Sequence, residues 1–141
     1  KGSAFSYLEG IHTLGMKFCD EIAEEAFVHL KGIHTLDMSY CNHISNKAFE
    51  HLEGIHTLNM SYCRQITDEA FIHLRGIDSL TMIKCKGITG SGLDHLNGIR
   101  KLDITLCDHL RDKIPPCIHE TSIIMMPFDA EARKPFLTIN I

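Results

Sequence analysis

In the stretch from Leu52 to Leu74, LEGIHTLNMSYCRQITDEAFIHL, apolar and polar residues alternate around Leu58 and Met60, with Thr57, Asn59 and Ser61 between and beside them. A two-residue period is that of a short strand, with Leu58 and Met60 on one face and the three polar residues on the other. Beyond Cys63 the spacing changes. Ala70, Phe71 and Leu74 fall on one face of a helix, Thr67 is placed to cap it, and Asp68 and Glu69 suit its positive N-terminal end. Gly76 follows two residues after Leu74, where a left-handed residue ends a helix. The predicted order is strand, tight turn, one or two helical turns, glycine stop.

The same text returns at intervals of 22 residues. Cysteine recurs at Cys19, Cys41, Cys63, Cys85 and Cys107, and glycine at Gly10, Gly32, Gly54, Gly76 and Gly98. Strand positions read Leu14, Leu36, Leu58, Leu80, Leu102 and Met16, Met38, Met60, Met82, Ile104. The units close on Leu30, Leu52, Leu74, Leu96 and Ile118. Self-similarity at this period with this apolar spacing predicts a solenoid, in which no unit folds alone and the core grows by stacking.

The register continues past the obvious motif. Ile124 and Met126 fall 22 residues after Leu102 and Ile104, so a sixth strand is predicted at about 122–126. In unit five Ile114, Pro115 and Pro116 stand where the helix body belongs, which predicts an extended turn in its place. Residues 1–118 form the array, a partial first unit and five full ones; 119–141 supply the last strand and a cap, its run DAEARKPFLTINI covering the final edge. Ala4, Phe5 and Leu8 occupy the slots of Ala70, Phe71 and Leu74, so the sequence starts inside a unit, and material upstream or a partner copy is expected to cover that face.

The pattern Ile55-x-x-Leu58-x-Met60-x-x-Cys63, then Ile66-Thr67-Asp68 and a short helix, resembles the cysteine-containing class of leucine-rich repeats. That class is best known from F-box proteins, the substrate receptors of cullin-type ubiquitin ligases. The resemblance covers roughly residues 1–118. It implies an α/β fold, a right-handed leucine-rich-repeat solenoid with a curved parallel sheet on the concave side and short helices on the convex side. It also implies non-catalytic protein recognition, with a ubiquitin-ligase receptor as the most specific version. The unit is shorter than is usual for that class, which predicts a more compact convex helix.

Composition alters this picture little. The 141 residues are 44% hydrophobic and carry a net charge of −4, so overall charge gives no case for nucleic acid or an anionic membrane. Lys84, Lys86, Arg100 and Lys101 make a local basic exception. No apolar run reaches the roughly 18 residues of a membrane span. Five of the six cysteines share one slot, which reads as a ladder of buried thiols donating to turn carbonyls in a reducing compartment, cytoplasm or nucleus. Disulfides between adjacent units are the alternative.

Rows of polar side chains at equal positions are the natural recognition surface of such a stack. One row holds Asp37, Asn59, Thr81 and Asp103; the next Ser39 and Ser61; a flanking row Tyr40, Tyr62 and Lys84. These are the expected contacts for a protein partner, tyrosine being enriched at interfaces. His12, His34 and His56 form a row that invites a metal test, but adjacent strands make a line of ligands instead of a tetrahedral cluster. His29, His51, His73 and His95 suit helix C-termini. Cys117 and His119 are close in sequence without any assurance of facing each other. The expectation is therefore no metal, no cofactor and no catalysis, with self-assembly through open repeat ends as the alternative to partner recognition.

Overall fold

The computed structural model describes residues 2–119 and 123–125, with side chains described over 5–118. Six strands of three residues each form one sheet: β1 Thr13–Gly15, β2 Thr35–Asp37, β3 Thr57–Asn59, β4 Ser79–Thr81, β5 Lys101–Asp103 and β6 Ile123–Met125. They lie in sequence order and every neighbouring pair is parallel. Partners stand 22 positions apart, Leu36 on Leu58 and Leu58 on Leu80. The sixth strand predicted from the register is present, with Leu102 on Ile124. In coarse outline the chain is an α/β repeat solenoid.

Lateral pairing reaches further than the strands. The backbone N–H of Met38 donates to the carbonyl of Asn59 at 2.9 Å and that of Tyr40 to Ser61 at 2.8 Å; Met60 and Tyr62 repeat this onto Thr81 and Ile83, both at 2.9 Å. Buried backbone groups must find partners, and here each unit's groups find them in the next unit. The strand leucines and methionines point inward and are buried, Leu36 through Leu102 and Met38 through Ile104.

The cysteine ladder is as the sequence predicts for the four thiols Cys41, Cys63, Cys85 and Cys107, which are buried and unpaired with one another. Each donates to the carbonyl of the methionine slot one unit back: Cys41 to Met16 at 3.0 Å, Cys63 to Met38 at 3.1 Å, Cys85 to Met60 and Cys107 to Met82, both at 3.2 Å. The Met38 and Met60 carbonyls already accept the N–H of Cys41 and Cys63 in their own turns, so the thiol takes the second lone pair. Burial pushes the Cys63 and Cys85 thiols up to about 12, which keeps them protonated and able to donate.

The return segments are 3₁₀ helices, among them Glu24–Leu30, Asn46–His51, Asp68–Leu74 and Leu93–Leu96. This is the compact helix the short unit demands. A 3₁₀ helix rises about 2.0 Å per residue against about 1.5 Å for an α-helix, so fewer residues cover the same distance. Residues three apart eclipse, so Phe71 and Leu74 share a face and both are buried, as are Phe27 with Leu30 and Phe49 with Leu52. After Leu74 the chain turns through Arg75 at φ −59°, ψ 130° and Gly76 at φ +80°, closed by Ile77 N–H on the Leu74 carbonyl at 3.1 Å. That is a type II turn, whose third residue wants glycine. Open space surrounds a Cβ built at Gly76, so the backbone angle alone demands glycine there.

Thr67 sits at the N-cap, but its hydroxyl makes no cap bond. It accepts instead from Asn46 Nδ2 of the previous unit at 2.6 Å, while Asn46 Oδ1 accepts the Thr67 N–H at 2.9 Å. The first helical position thus serves the following unit. Glu24 accepts from Ser45 N–H at 2.6 Å, and Asp68 accepts from the N–H groups of Thr89, Gly90 and Gly92 at 2.7, 2.9 and 3.2 Å. Gly92 approaches so closely that a Cβ there would lie 2.7 Å from the Asp68 carbonyl.

Unit five corrects the sequence reading. An extended turn was expected at the prolines, yet Pro116 opens a helical turn, Pro116–His119, in which a missing N–H costs nothing at the first position. The 3₁₀ segment moves upstream to Asp108–Lys113, and Ile114 between them is extended, as a residue before proline prefers. The predicted cap over 129–141 lies outside the described residues.

Two stability experiments follow from this packing. Cys63→Ser keeps a donor but buries a more polar, smaller group, and is expected to lower unfolding free energy in urea by about 1–2 kcal/mol; an unchanged midpoint would refute the ladder's packing role. Desolvation tends to raise the Asp68 carboxyl, but the bonds from Thr89, Gly92 and Gly90 outweigh it and hold it below the ordinary carboxylate value. A depressed carboxylate stabilises the fold above its unfolded pKa and loses that contribution as pH falls through the folded one. Asp68→Ala should therefore be clearly less stable than wild type at pH 7, with the gap narrowing below about pH 4. A gap independent of pH would show that charge is not involved.

Candidate functional site

Each unit turns sharply after its strand, from the methionine slot to the cysteine slot. In the turns of units two and three Cys41 N–H donates to the Met38 carbonyl at 3.3 Å and Cys63 N–H to Met60 at 3.2 Å. The third residue of this turn is left-handed in every unit: Phe18, Tyr40, Tyr62, Lys84 and Leu106 have φ between +54° and +64°. Bulky side chains avoid that region, at a cost of about 1–2 kcal/mol each. The chain fills its other left-handed slot with glycine five times and this one never, so the side chain at this position has a use that outweighs the strain.

Stacking is the visible use. The rings of Phe18 and Tyr40 lie 4.4 Å apart and those of Tyr40 and Tyr62 4.3 Å apart, within 21° and 9° of parallel, and the Lys84 ammonium sits 5.7 Å from the Tyr62 ring centre. Across the buried cysteine from Tyr62 and Lys84 stand Arg64 and Lys86, both exposed. Together Tyr40, Tyr62, Arg64, Lys84 and Lys86 line an open cleft of about 440 Å³. Desolvation, reinforced by Tyr62, pushes the Tyr40 phenol up from its ordinary value, so it stays a hydroxyl donor. Among the described residues no carboxylate pairs with Arg64, Lys84 or Lys86.

The remaining rows divide. Asp37, Asn59 and Asp103 each accept the N–H two residues on, from Ser39 at 3.1 Å, Ser61 at 3.1 Å and Thr105 at 3.0 Å. These are Asx-type turns that satisfy a donor the sheet leaves unpaired. Thr81 stands in the same slot, and there the Ile83 N–H reaches back to the Ser61 hydroxyl at 3.1 Å. The Ser39 hydroxyl donates to Asp37 at 2.7 Å. Ser39 and Ser61 are 3% and 4% exposed, although strand alternation put them on the open face, so a partner meets little of either; Asp103 is also nearly covered. Asp37, Asn59 and Thr81 stay half-exposed, with Lys17 on Asp37 at 3.1 Å and Asn59 Nδ2 on Asp37 at 3.3 Å. Desolvation acts to raise Asp37, but the Ser39 and Lys17 contacts hold it below the ordinary value.

His12, His34 and His56 do line up, their rings 4.5 and 4.1 Å apart and nearly parallel. Parallel rings direct their nitrogen lone pairs in parallel planes, which do not converge on one ion. Among the described residues no group of three or more His, Cys, Asp or Glu is placed to hold a metal. Desolvation, then His56 and His12, lower the His34 imidazole, against a raising influence from Asp78. The row continues as Asp78 paired with the Arg100 guanidinium, which holds the Asp78 carboxyl low. His29 and His73 meet Glu9 and Glu53, each 20 residues earlier at the start of the same unit, at 3.0 and 3.2 Å instead of capping carbonyls. Cys117 packs against the core; the His119 side chain lies outside the described residues.

The basic exception seen in sequence is thus divided. Lys84 and Lys86 belong to the cleft, Arg100 is neutralised by Asp78, and Lys101 begins β5. Arg64 was not foreseen. Its signal was the slot after the cysteine, Asp20, Asn42, Arg64, Lys86, Asp108, which turns basic in the same units where the preceding slot carries Tyr62 and Lys84. Comparison with models of known protein families and with curated proteins found no match to this chain.

Offset ring pairs are worth about 0.5–1.5 kcal/mol, close to the backbone strain that glycine would release. The double variant Tyr40→Gly, Tyr62→Gly is accordingly expected to unfold within about 1 kcal/mol of wild type. A loss of several kcal/mol in urea would make the rings a structural clamp between units and remove the argument that they serve recognition.

Proposed function

We propose that this chain is a non-catalytic protein-recognition module that holds a partner on the surface formed by the tyrosine row and the half-exposed strand row beside it. The observation that carries this is the repeated use of large side chains at a left-handed position where glycine would be less strained. Tyr40, Tyr62 and Lys84 are the principal contacts, with Asp37, Asn59 and Thr81 beside them and Ser39, Ser61 and Asp103 supporting the turns from within.

In its finer form the reading is a right-handed leucine-rich-repeat solenoid, the sheet lining a concave face and the 3₁₀ helices the convex one. The likeness of the unit to cysteine-containing repeats supports it. A substrate receptor of a cullin-type ubiquitin ligase is the most specific version, and the protonated, unpaired thiols support a reducing compartment such as cytoplasm or nucleus. Among the described residues no helix is long and apolar enough to cross a membrane.

A second reading, end-to-end assembly of copies, draws on the lateral pairing itself, since the backbone bonds by which one unit joins the next are the same from unit to unit. Sedimentation over a concentration series tests it, since assembly predicts growth in size with concentration.

The recognition reading is tested by selection from a displayed random-peptide library on the immobilised protein. Wild type should enrich a consensus that the folded Tyr40→Gly, Tyr62→Gly variant does not retain. Enrichment of nothing, or of the same peptides by both proteins, would overturn it.

A further inference from the structure

We propose that the cleft lined by Tyr40, Tyr62, Arg64, Lys84 and Lys86 receives an acidic peptide segment, its carboxylates paired with the three cations and its backbone or side-chain oxygens accepting from the Tyr62 hydroxyl. This rests on the recognition reading and names the chemistry of the partner.

Charge is the first ground. The chain carries 18 acidic against 14 basic residues, yet three cations meet in this cleft, and among the described residues none of them is neutralised. By contrast Lys17 and Arg100 have carboxylates on Asp37 and Asp78. Clustering unpaired like charges is unfavourable in the free protein, and a cleft with walls of lower dielectric makes an anionic ligand the natural remedy.

Geometry is the second ground. Arg64 and Lys86 share a slot in adjacent units, so their backbone positions lie about one strand separation apart, roughly 4.8 Å, and Lys84 stands across the buried cysteine from Lys86 in the same unit. Two cations along the stacking axis and a third beside them make a short basic patch that an extended segment crossing the units can follow. Arginine offers a planar fork for a carboxylate, and lysine a point charge.

The ring faces choose between ligand classes. Single-stranded nucleic acid binds through bases stacked on free aromatic faces. Here Tyr40 is covered by Phe18 and Tyr62, and Tyr62 by Tyr40 and Lys84. With the Tyr40 hydroxyl bonded to Tyr62, what the tyrosines leave open are ring edges and the Tyr62 O–H, which suit carboxylates and peptide carbonyls, not bases.

The test is fluorescence anisotropy with labelled hexaglutamate, labelled hexathymidylate and labelled hexalysine on the intact chain. Hexaglutamate should bind more tightly than either other ligand, and weaken as salt rises from about 20 to about 200 mM. Arg64→Glu with Lys86→Glu should lower that affinity at least about tenfold, with an unchanged melting temperature, whereas Lys101→Glu at the start of β5 should leave it within about twofold. Tighter binding of hexathymidylate would overturn the proposal in favour of nucleic acid. Equal loss in Lys101→Glu would reduce it to diffuse charge, and no binding of hexaglutamate at millimolar concentration would end it. In that last case a tyrosine-dependent consensus from the displayed library would leave the recognition reading standing, so the two failures are distinguishable.

Discussion

The whole structure depends on strict lateral register. A unit of this solenoid cannot satisfy its own backbone: the N–H groups of Met38 and Tyr40 find acceptors only in the following strand and turn. Shifting one unit by a single residue would put the polar Asn59 where Leu58 belongs and break this lateral pairing. Because every link is the same, the constraint propagates, and identical slots become straight columns of methionine, cysteine, phenylalanine and tyrosine. The columns of side chains are thus a consequence of backbone pairing, not of any attraction among the side chains themselves.

Cysteine at the turn illustrates how the register selects residue type. The slot must be small, buried and able to donate one weak hydrogen bond to a carbonyl that is already half satisfied. Serine would donate more strongly but leaves a polar oxygen in an apolar floor, and valine or alanine would leave the lone pair empty. A thiol held protonated by burial meets all three demands. On the opposite side of the unit the same division of labour recurs: Glu24, Asn46 and Asp68 spend their side chains on the next unit's amides, so that polar groups also run from unit to unit.

Much of this was legible in the sequence because apolar periodicity and the cysteine and glycine columns are direct projections of the register. Strand positions, the sixth strand and the glycine turn could all be read from spacing alone. What could not be read was conformation that no apolar column marks. The left-handed backbone at Tyr40 and Tyr62 is hidden because the residue types there are the ones that avoid it. Burial of Ser39 and Ser61 is hidden because alternation assumes a strand that continues, whereas the chain has already begun to turn and their hydroxyls are used inside it. In unit five two adjacent prolines signal a broken helix, whereas Pro116 occupies the first helical position, which tolerates it. Arg64 is only faintly marked, because its slot is polar throughout and a change of sign between Asn42 and Arg64 carries little weight until the cleft brings Arg64 together with Lys84 and Lys86.

The two slots that flank the buried cysteine are where this architecture is free to vary. Phe18, Tyr40, Tyr62, Lys84 and Leu106 on one side, and Asp20, Asn42, Arg64, Lys86 and Asp108 on the other, share backbone positions but differ in chemistry from unit to unit. None of these side chains fills the core, and apart from Asp20, which accepts the Asn42 N–H of the next unit at 3.0 Å, and Asn42, which donates to the Tyr40 carbonyl at 3.2 Å, exchanging them leaves the thiol floor and the backbone pairing untouched. The strain of a left-handed turn is borne by every unit whichever residue occupies it, which removes the usual penalty for changing one bulky side chain to another. Glycine alone would release that strain, and its absence from all five positions argues that an outward side chain is worth more to this protein than a relaxed turn. A surface built in this way can be tuned one unit at a time, and the run of aromatic rings passing into cations between units one and four is one such tuning.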